Sequence, residues 1–84
     1  MSKILLVDDD IELCELLDEL LRQEQFDPYF IHRGDEVLEE IRSCNYEIVV
    51  LDIMLPGKSG LEVLREIRCE NMIPILMLTA RGED

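Results

Sequence analysis

Glu47-Ile48-Val49-Val50-Leu51-Asp52-Ile53-Met54-Leu55-Pro56-Gly57 is the stretch that sets the fold of this chain. Ile48, Val49, Val50 and Leu51 form a continuous apolar run with no polar alternation, the pattern of a strand buried on both faces of a parallel sheet. The run ends on a carboxylate. Pro56-Gly57 and the following Lys58-Ser59-Gly60 are turn chemistry, so Asp52 sits where a central strand gives way to a loop. In open α/β sheets, ligands bind outside the carboxyl ends of the strands. A buried charge must be paired or bound to a metal, so an aspartate placed directly after large apolar residues marks Asp52 as the candidate reacting group.

A second apolar run, Lys3-Ile4-Leu5-Leu6-Val7, also stops at acid, at Asp8-Asp9-Asp10. It reads as a buried strand feeding a helix that carries Leu13, Leu16, Leu17, Leu20 and Leu21 at i, i+3, i+4 spacing. Asp9 or Asp10 can cap that helix, with Asp10 the choice for the duty, and carboxylates there suit the positive end of the helix dipole. Glu15 and Glu19 repel at i, i+4 while Asp18 and Arg22 attract, so packing of the leucine face must hold the helix. Asp27-Pro28-Tyr29-Phe30-Ile31 is a weaker strand, placed near an edge because Pro28 lacks the amide proton that a central strand needs.

Gly34-Asp35-Glu36 opens a second helix with Val37, Leu38 and Ile41 facing inward, ending near Asn45. Ser59 and Glu62 have the spacing of a capping box for a third helix, whose Leu61, Leu64 and Ile67 are expected to face the sheet. Pro74-Ile75-Leu76-Met77-Leu78 reads as a fourth buried strand, ending in Thr79-Ala80. The order β-α-β-α-β-α-β is that of an α/β, doubly wound parallel sheet covered on both faces. Right-handed crossovers then bring the carboxyl ends of the first, third and fourth strands to one edge, gathering Asp8, Asp9, Asp52 and Thr79.

Composition narrows the possibilities. With 84 residues the chain is one domain at most, and a domain of that size buries little more than about 60% of its unfolded surface. Hydrophobic residues make up 48% and charged residues 33%, an ordinary globular balance, while aromatics at 5% leave an aliphatic core. The net charge of −12, from 20 acidic against 8 basic residues, opposes contact of this segment with nucleic acid or an anionic membrane and favours cations and basic surfaces. Cys14, Cys44 and Cys69 form no Cys-x-x-Cys pair, which favours reduced, packing thiols over a disulfide framework or a zinc site. No stretch is long and apolar enough to cross a membrane and residues 1–7 do not resemble a signal peptide, so the expected location is cytoplasmic. His32, beside Arg33 and Gly34, reads as a solvated loop residue.

Three carboxylates at one strand edge cannot all be charged comfortably. Two unit charges ~4 Å apart at an effective dielectric near 20 repel by about 4 kcal/mol, so some are protonated or a cation joins them. The donors on offer are hard oxygens, which suits Mg²⁺. With the pocket neutralised, Asp52 can act as a nucleophile toward a phosphoryl group and Thr79 can offer its hydroxyl to a phosphoryl oxygen.

Leu6-Val7-Asp8-Asp9-Asp10, Val50-Leu51-Asp52-Ile53-Met54-Leu55-Pro56-Gly57, Ser59-Gly60-Leu61-Glu62 and Ile73-Pro74-Ile75-Leu76-Met77-Leu78-Thr79-Ala80 resemble, in order, the motifs of response-regulator receiver domains. Continued into Arg81-Gly82-Glu83, the last is most similar to receivers joined to winged-helix DNA-binding domains. The resemblance implies a flavodoxin-like fold and a two-component phosphorelay in which Asp52 accepts phosphate from a sensor histidine kinase. It also implies Mg²⁺ bound by Asp9, Asp52 and the main-chain carbonyl of Met54, with Asp8 acting through water. Thr79 would be the switch hydroxyl and Ala80 the small residue that leaves the pocket open. The kinase would meet the exposed face of the first helix, where Glu12, Glu15 and Glu19 lie, and DNA would be contacted by another domain of the parent regulator.

The family continues with a helix, a fifth strand bearing a lysine and a final helix. Lys3 and Lys58 do not stand in that lysine's place, so residues 1–84 are expected to form an incomplete receiver. Its fourth strand, Ile75 to Leu78, would be an apolar edge open to self-association or to pairing with other receivers. The reading is of a signalling module rather than an enzyme. Three other functions compete with it. One is a fragment without phosphoryl chemistry that acts only through that edge. A haloacid-dehalogenase-like phosphatase needs a second aspartate at position 54, which is Met. A flavodoxin-like FMN carrier is opposed by Asp8-Asp9-Asp10, which would repel the phosphate.

Overall fold

The two apolar runs that stop on aspartate form the centre of the sheet. In the structure, a computed structural model that describes residues 2–78, β1 (Ser2–Val7) and β3 (Ile48–Asp52) pair in parallel, with Ile4 opposite Ile48 and Val7 opposite Leu51. On the other side of β1 lies β2 (Phe26–Ile31), Ser2 opposite Phe26 and Val7 opposite Ile31. Strand β4 (Ile75–Leu78) flanks β3. The order is β2-β1-β3-β4, all parallel. Pro28 lies opposite Ile4 on the outer strand β2, where a missing amide proton breaks no second ladder.

Helices connect the strands: α1 (Ile11–Gln23), α2 (Val37–Ser43), entered through a 3₁₀ turn at Gly34–Glu36, and α3 (Gly60–Arg68). Alternation along each strand divides its side chains between the two faces. Leu5, Val7, Val49 and Leu51 point to one face and are sealed by Val37 and Ile41 of α2, Val63 and Ile67 of α3, and Tyr46. Ile4 and Leu6 point to the other face, where they are buried, as is Cys14 of α1. The α/β parallel architecture expected from the sequence is the one observed.

Three expectations about packing are corrected. Leu13, Leu16 and Leu20 do not pack inward: Leu16 is 53% and Leu20 48% exposed. Helix α1 packs beside β2 on a flank made of Cys14, Leu17 and Leu21, which share a helical face. Its leucine stripe is wider than the surface that the described sheet offers.

Helix α3 is rotated relative to its leucine spacing, burying Gly60, Val63 and Ile67 while Leu61 is 48% exposed. The cause is Gly60, whose amide donates to the Ile53 carbonyl at 2.8 Å and whose absent Cβ would lie 2.3 Å from the Asp52 carbonyl oxygen. The residue closest to the sheet sets the innermost face, and Val63 and Ile67 follow at i+3 and i+7. Strand β4 is half-covered rather than buried on both sides: Ile75 and Met77 face the α2–α3 core, Leu76 and Leu78 are exposed.

The Ser59–Glu62 capping box forms as the spacing predicts. Ser59 Oγ accepts from the Glu62 amide at 3.3 Å and Glu62 Oε1 accepts from the Ser59 amide at 3.1 Å. Gly60→Ala is expected to lower stability by about 1–3 kcal/mol through overpacking, whereas Leu61→Ala on the exposed side of the same helix should stay within about 0.5 kcal/mol. Thermal or urea melts of the two variants beside the parent chain check this; equal losses would mean that α3 is not rotated as described.

Candidate functional site

Strand pairing assembles the site. Because Val7 lies opposite Leu51, the next residues, Asp8 and Asp52, leave neighbouring strands at one level. Carboxylate oxygens of Asp8, Asp9 and Asp52 lie within 4.8 Å of one another. Asp52 is 6% exposed, Asp8 is half-buried and Asp9 is exposed, so the cluster runs from the sheet interior to solvent.

Two of the three clustered carboxylates, Asp52 and Asp8, are held locally. Asp52 Oδ1 accepts the Met54 amide at 3.2 Å. Asp8 Oδ1 accepts the Asp10 amide at 3.0 Å. Asp10 belongs to the helix, not to the cluster: its Oδ1 accepts the Leu13 amide at 3.1 Å and caps α1, as expected. Thr79 and Ala80 were expected beside Asp52 and lie outside the described residues. Leu78, which precedes Thr79 in the chain, pairs with Asp52, and its carbonyl accepts the Ile53 amide at 3.0 Å.

Burial pushes the Asp52 carboxyl above its ordinary value of 3.8; the Met54 amide opposes that shift, and the negative charges of Asp8 and Asp9 add to it. A cation placed among these oxygens would relieve both the desolvation and the repulsion. The donor set contains hard oxygens only and so fits Mg²⁺.

Two loops frame the cluster. The Gly34 amide donates to the Pro56 carbonyl at 3.0 Å, and a Cβ on Gly34 would meet the Lys58 carbonyl oxygen at 2.2 Å, so the loop after β2 presses on the loop after β3. Gly57 turns that second loop with φ +86°, in the left-handed region that favours glycine.

His32 is not the solvated loop residue expected from its neighbours. It is half-buried, and its Nδ1 lies 2.8 Å from the Asp8 main-chain oxygen. The signal was present in the register: Asp8 and His32 each follow a strand's last residue, and those last residues, Val7 and Ile31, are opposite one another.

A sequence model of the response regulator receiver domain matches residues 4–84. The chain belongs to the response regulator receiver family. It is 52% identical over 84 residues to the transcriptional regulatory protein CpxR homolog of Haemophilus influenzae, covering 100% of this chain and 37% of that protein. In shape it matches the BeF3-activated N-terminal receiver domain of Klebsiella pneumoniae RstA, with a TM-score of 0.92, 37% identity and coverage of 99% of this chain and 71% of that one. The response regulator TrrA of Thermotoga maritima, solved with Mg²⁺ and BeF, matches with a TM-score of 0.89 and 43% identity over 98% of this chain and 72% of that one. TrrA has also been solved in complex with the histidine kinase ThkA. The receiver described here therefore spans about a third of the curated relative and most of each solved receiver. Among its described residues no helix is long and apolar enough to cross a membrane.

The raised Asp52 pKa carries a stability consequence. Because the folded state holds this proton more tightly than the unfolded chain, the contribution of Asp52 to stability is fully present below the ordinary value of 3.8 and is lost as pH rises through the higher folded value. Without metal, Asp52→Asn should therefore raise the melting temperature at pH 7, with the advantage over the parent shrinking as the buffer is acidified. Melting curves in chelator across that range test the sign. A variant less stable than the parent at neutral pH would contradict it.

Proposed function

We propose that this receiver accepts a phosphoryl group on Asp52 from a phosphohistidine of a sensor kinase, in a reaction that requires Mg²⁺. The observation that carries the reading is the meeting of three carboxylates within 4.8 Å, one of them buried at a strand end. Asp9 and Asp52, with the main-chain carbonyl of Met54, are the proposed direct ligands, and Asp8 is proposed to act through water. When bound, the ion would neutralise the cluster and polarise the phosphoryl oxygens.

The chain's own residues then do the following. The Met54 amide fixes one oxygen of Asp52, so the carboxylate is oriented before the donor arrives. A carboxylate oxygen of Asp52 attacks phosphorus, forming the O–P bond as the P–N bond to the kinase imidazole breaks. The electron pair of that bond returns to the ring nitrogen. Thr79 is proposed to offer its hydroxyl to the transferred group, with Ala80 leaving room for it.

The exposed face of α1 is the proposed kinase surface. Ile11, Glu15 and Asp18 line an open groove of about 380 Å³ there, together with Cys14, Phe30 and His32. The relative's name as a transcriptional regulatory protein supports a parent regulator in which DNA is bound by another domain, and with it a cytoplasmic location.

Incubation with a small acyl phosphate and Mg²⁺, read by intact-mass spectrometry, tests the chemistry. The chain should gain one phosphoryl group, and the gain should vanish in Asp52→Asn. It should slow at least about ten-fold in Asp9→Asn and stop with chelator, since metal clamping supplies several kcal/mol of charge stabilisation. Modification that survives Asp52→Asn would overturn the assignment.

A second reading is favoured by β4. Among the described residues this strand is paired only through β3, and Leu76 and Leu78 are exposed on the face that carries Ile4 and Leu6. Such an edge is a template for another chain. Sedimentation over a range of concentrations should show self-association that weakens in Leu76→Lys; a monomer at every concentration would exclude it.

A further inference from the structure

The geometry points to His32 as a positioning residue for the metal-binding loop, acting through the main chain of Asp8. This role rests on the reading of Asp8, Asp9 and Asp52 as the cation site and deepens it.

The Asp8 peptide is gripped by the end of β2 on both sides. Its amide donates to the Ile31 carbonyl at 3.0 Å, a continuation of the parallel ladder. The next rung of such a ladder would be donated by the main chain at Arg33, but the chain turns there and the Gly34 amide is directed to Pro56. The Asp8 carbonyl receives two side-chain donors in its place. His32 Nδ1 stands at 2.8 Å and Cys14 Sγ at 3.7 Å. A carbonyl oxygen only accepts, so Nδ1 is the donor in this contact.

The peptide that is held in this way joins Asp8 to Asp9. Its plane sets the directions in which two of the three clustered carboxylates leave the backbone, and those carboxylates repel each other and Asp52. Without the imidazole, only the longer Cys14 Sγ contact restrains that carbonyl, and the plane can turn and spread the charges. With it, the plane is fixed and the carboxylate oxygens lie within 4.8 Å of one another. His32 therefore acts on metal affinity through preorganisation, as outer partners of metal ligands do elsewhere, where their loss costs about 10–100-fold in affinity.

The chain contains one histidine, so its ring nitrogens can be observed without ambiguity by long-range proton–nitrogen NMR. In buffer alkaline enough to keep the ring neutral, the Nδ1–H tautomer is expected. The Nε2–H tautomer would overturn the contact. Mg²⁺ titrations of the chain then separate positioning from plain packing. His32→Ala should bind Mg²⁺ about ten-fold more weakly. His32→Asn, whose amide can present an N–H close to the Nδ1 position, should recover to within about three-fold of the parent. A His32→Ala variant that loses stability but keeps the parent's Mg²⁺ affinity would make the histidine a packing residue and overturn the proposal. Failure of the parent chain itself to bind Mg²⁺ would overturn the cation-site reading and the positioning role with it, while the tautomer would still report whether the contact exists.

Discussion

Everything at the functional edge depends on one register, the parallel pairing that sets Val7 opposite Leu51. Neighbouring strands run about 4.8 Å apart, so the residues that follow this pair cannot avoid each other. A charge repulsion of about 4 kcal/mol per close pair opposes an aliphatic core in which each fully buried side chain is worth about 1.5–3 kcal/mol. Leu5, Val7, Val49, Leu51, Val37, Val63 and Ile67 all lie within that core. Hydrophobic burial wins, and the sheet imposes on its carboxylates a proximity that they would not choose. The site is thus a local strain carried by a well-packed neighbour.

Glycine contacts convey that packing to the loops. Gly60 lets the start of α3 rest on the main chain of Asp52 and Ile53, and Gly34 lets the loop after β2 rest on the main chain of Lys58. In both cases backbone meets backbone where a Cβ would not fit. The loops that carry or flank Asp52, Met54 and Pro56 are held by these approaches as well as by hydrogen bonds.

The fold was legible because its signals were redundant. Two apolar runs stopping on aspartate, a proline on the outer strand and a capping box before α3 each pointed to the same parallel architecture. The cluster of Asp8, Asp9 and Asp52 follows from right-handed crossovers between strands that end on acid. What the sequence did not convey was rotation. A stripe of leucines tells which helix face is apolar but not how much of it finds a partner, and so Leu13, Leu16 and Leu20 were assigned to an interior that α1 shares only through Cys14, Leu17 and Leu21. Leucine spacing alone turns Leu61 inward, whereas Gly60, the residue whose missing side chain fixes the helix, turns it out. His32 was missed because its partner is a main-chain oxygen, and main-chain partners leave no trace in residue types.

The seating of α3 against Asp52 leaves the two flanks of the site unlike each other. The main chain of Asp52 is backed by a helix start too close to admit even a methyl group. On the opposite flank, Leu78 is joined to the loop through the single bond from the Ile53 amide. The junction is therefore asymmetric: Asp52 has main chain packed directly against its own at Gly60 and a hydrogen-bonded strand, β4, beside it.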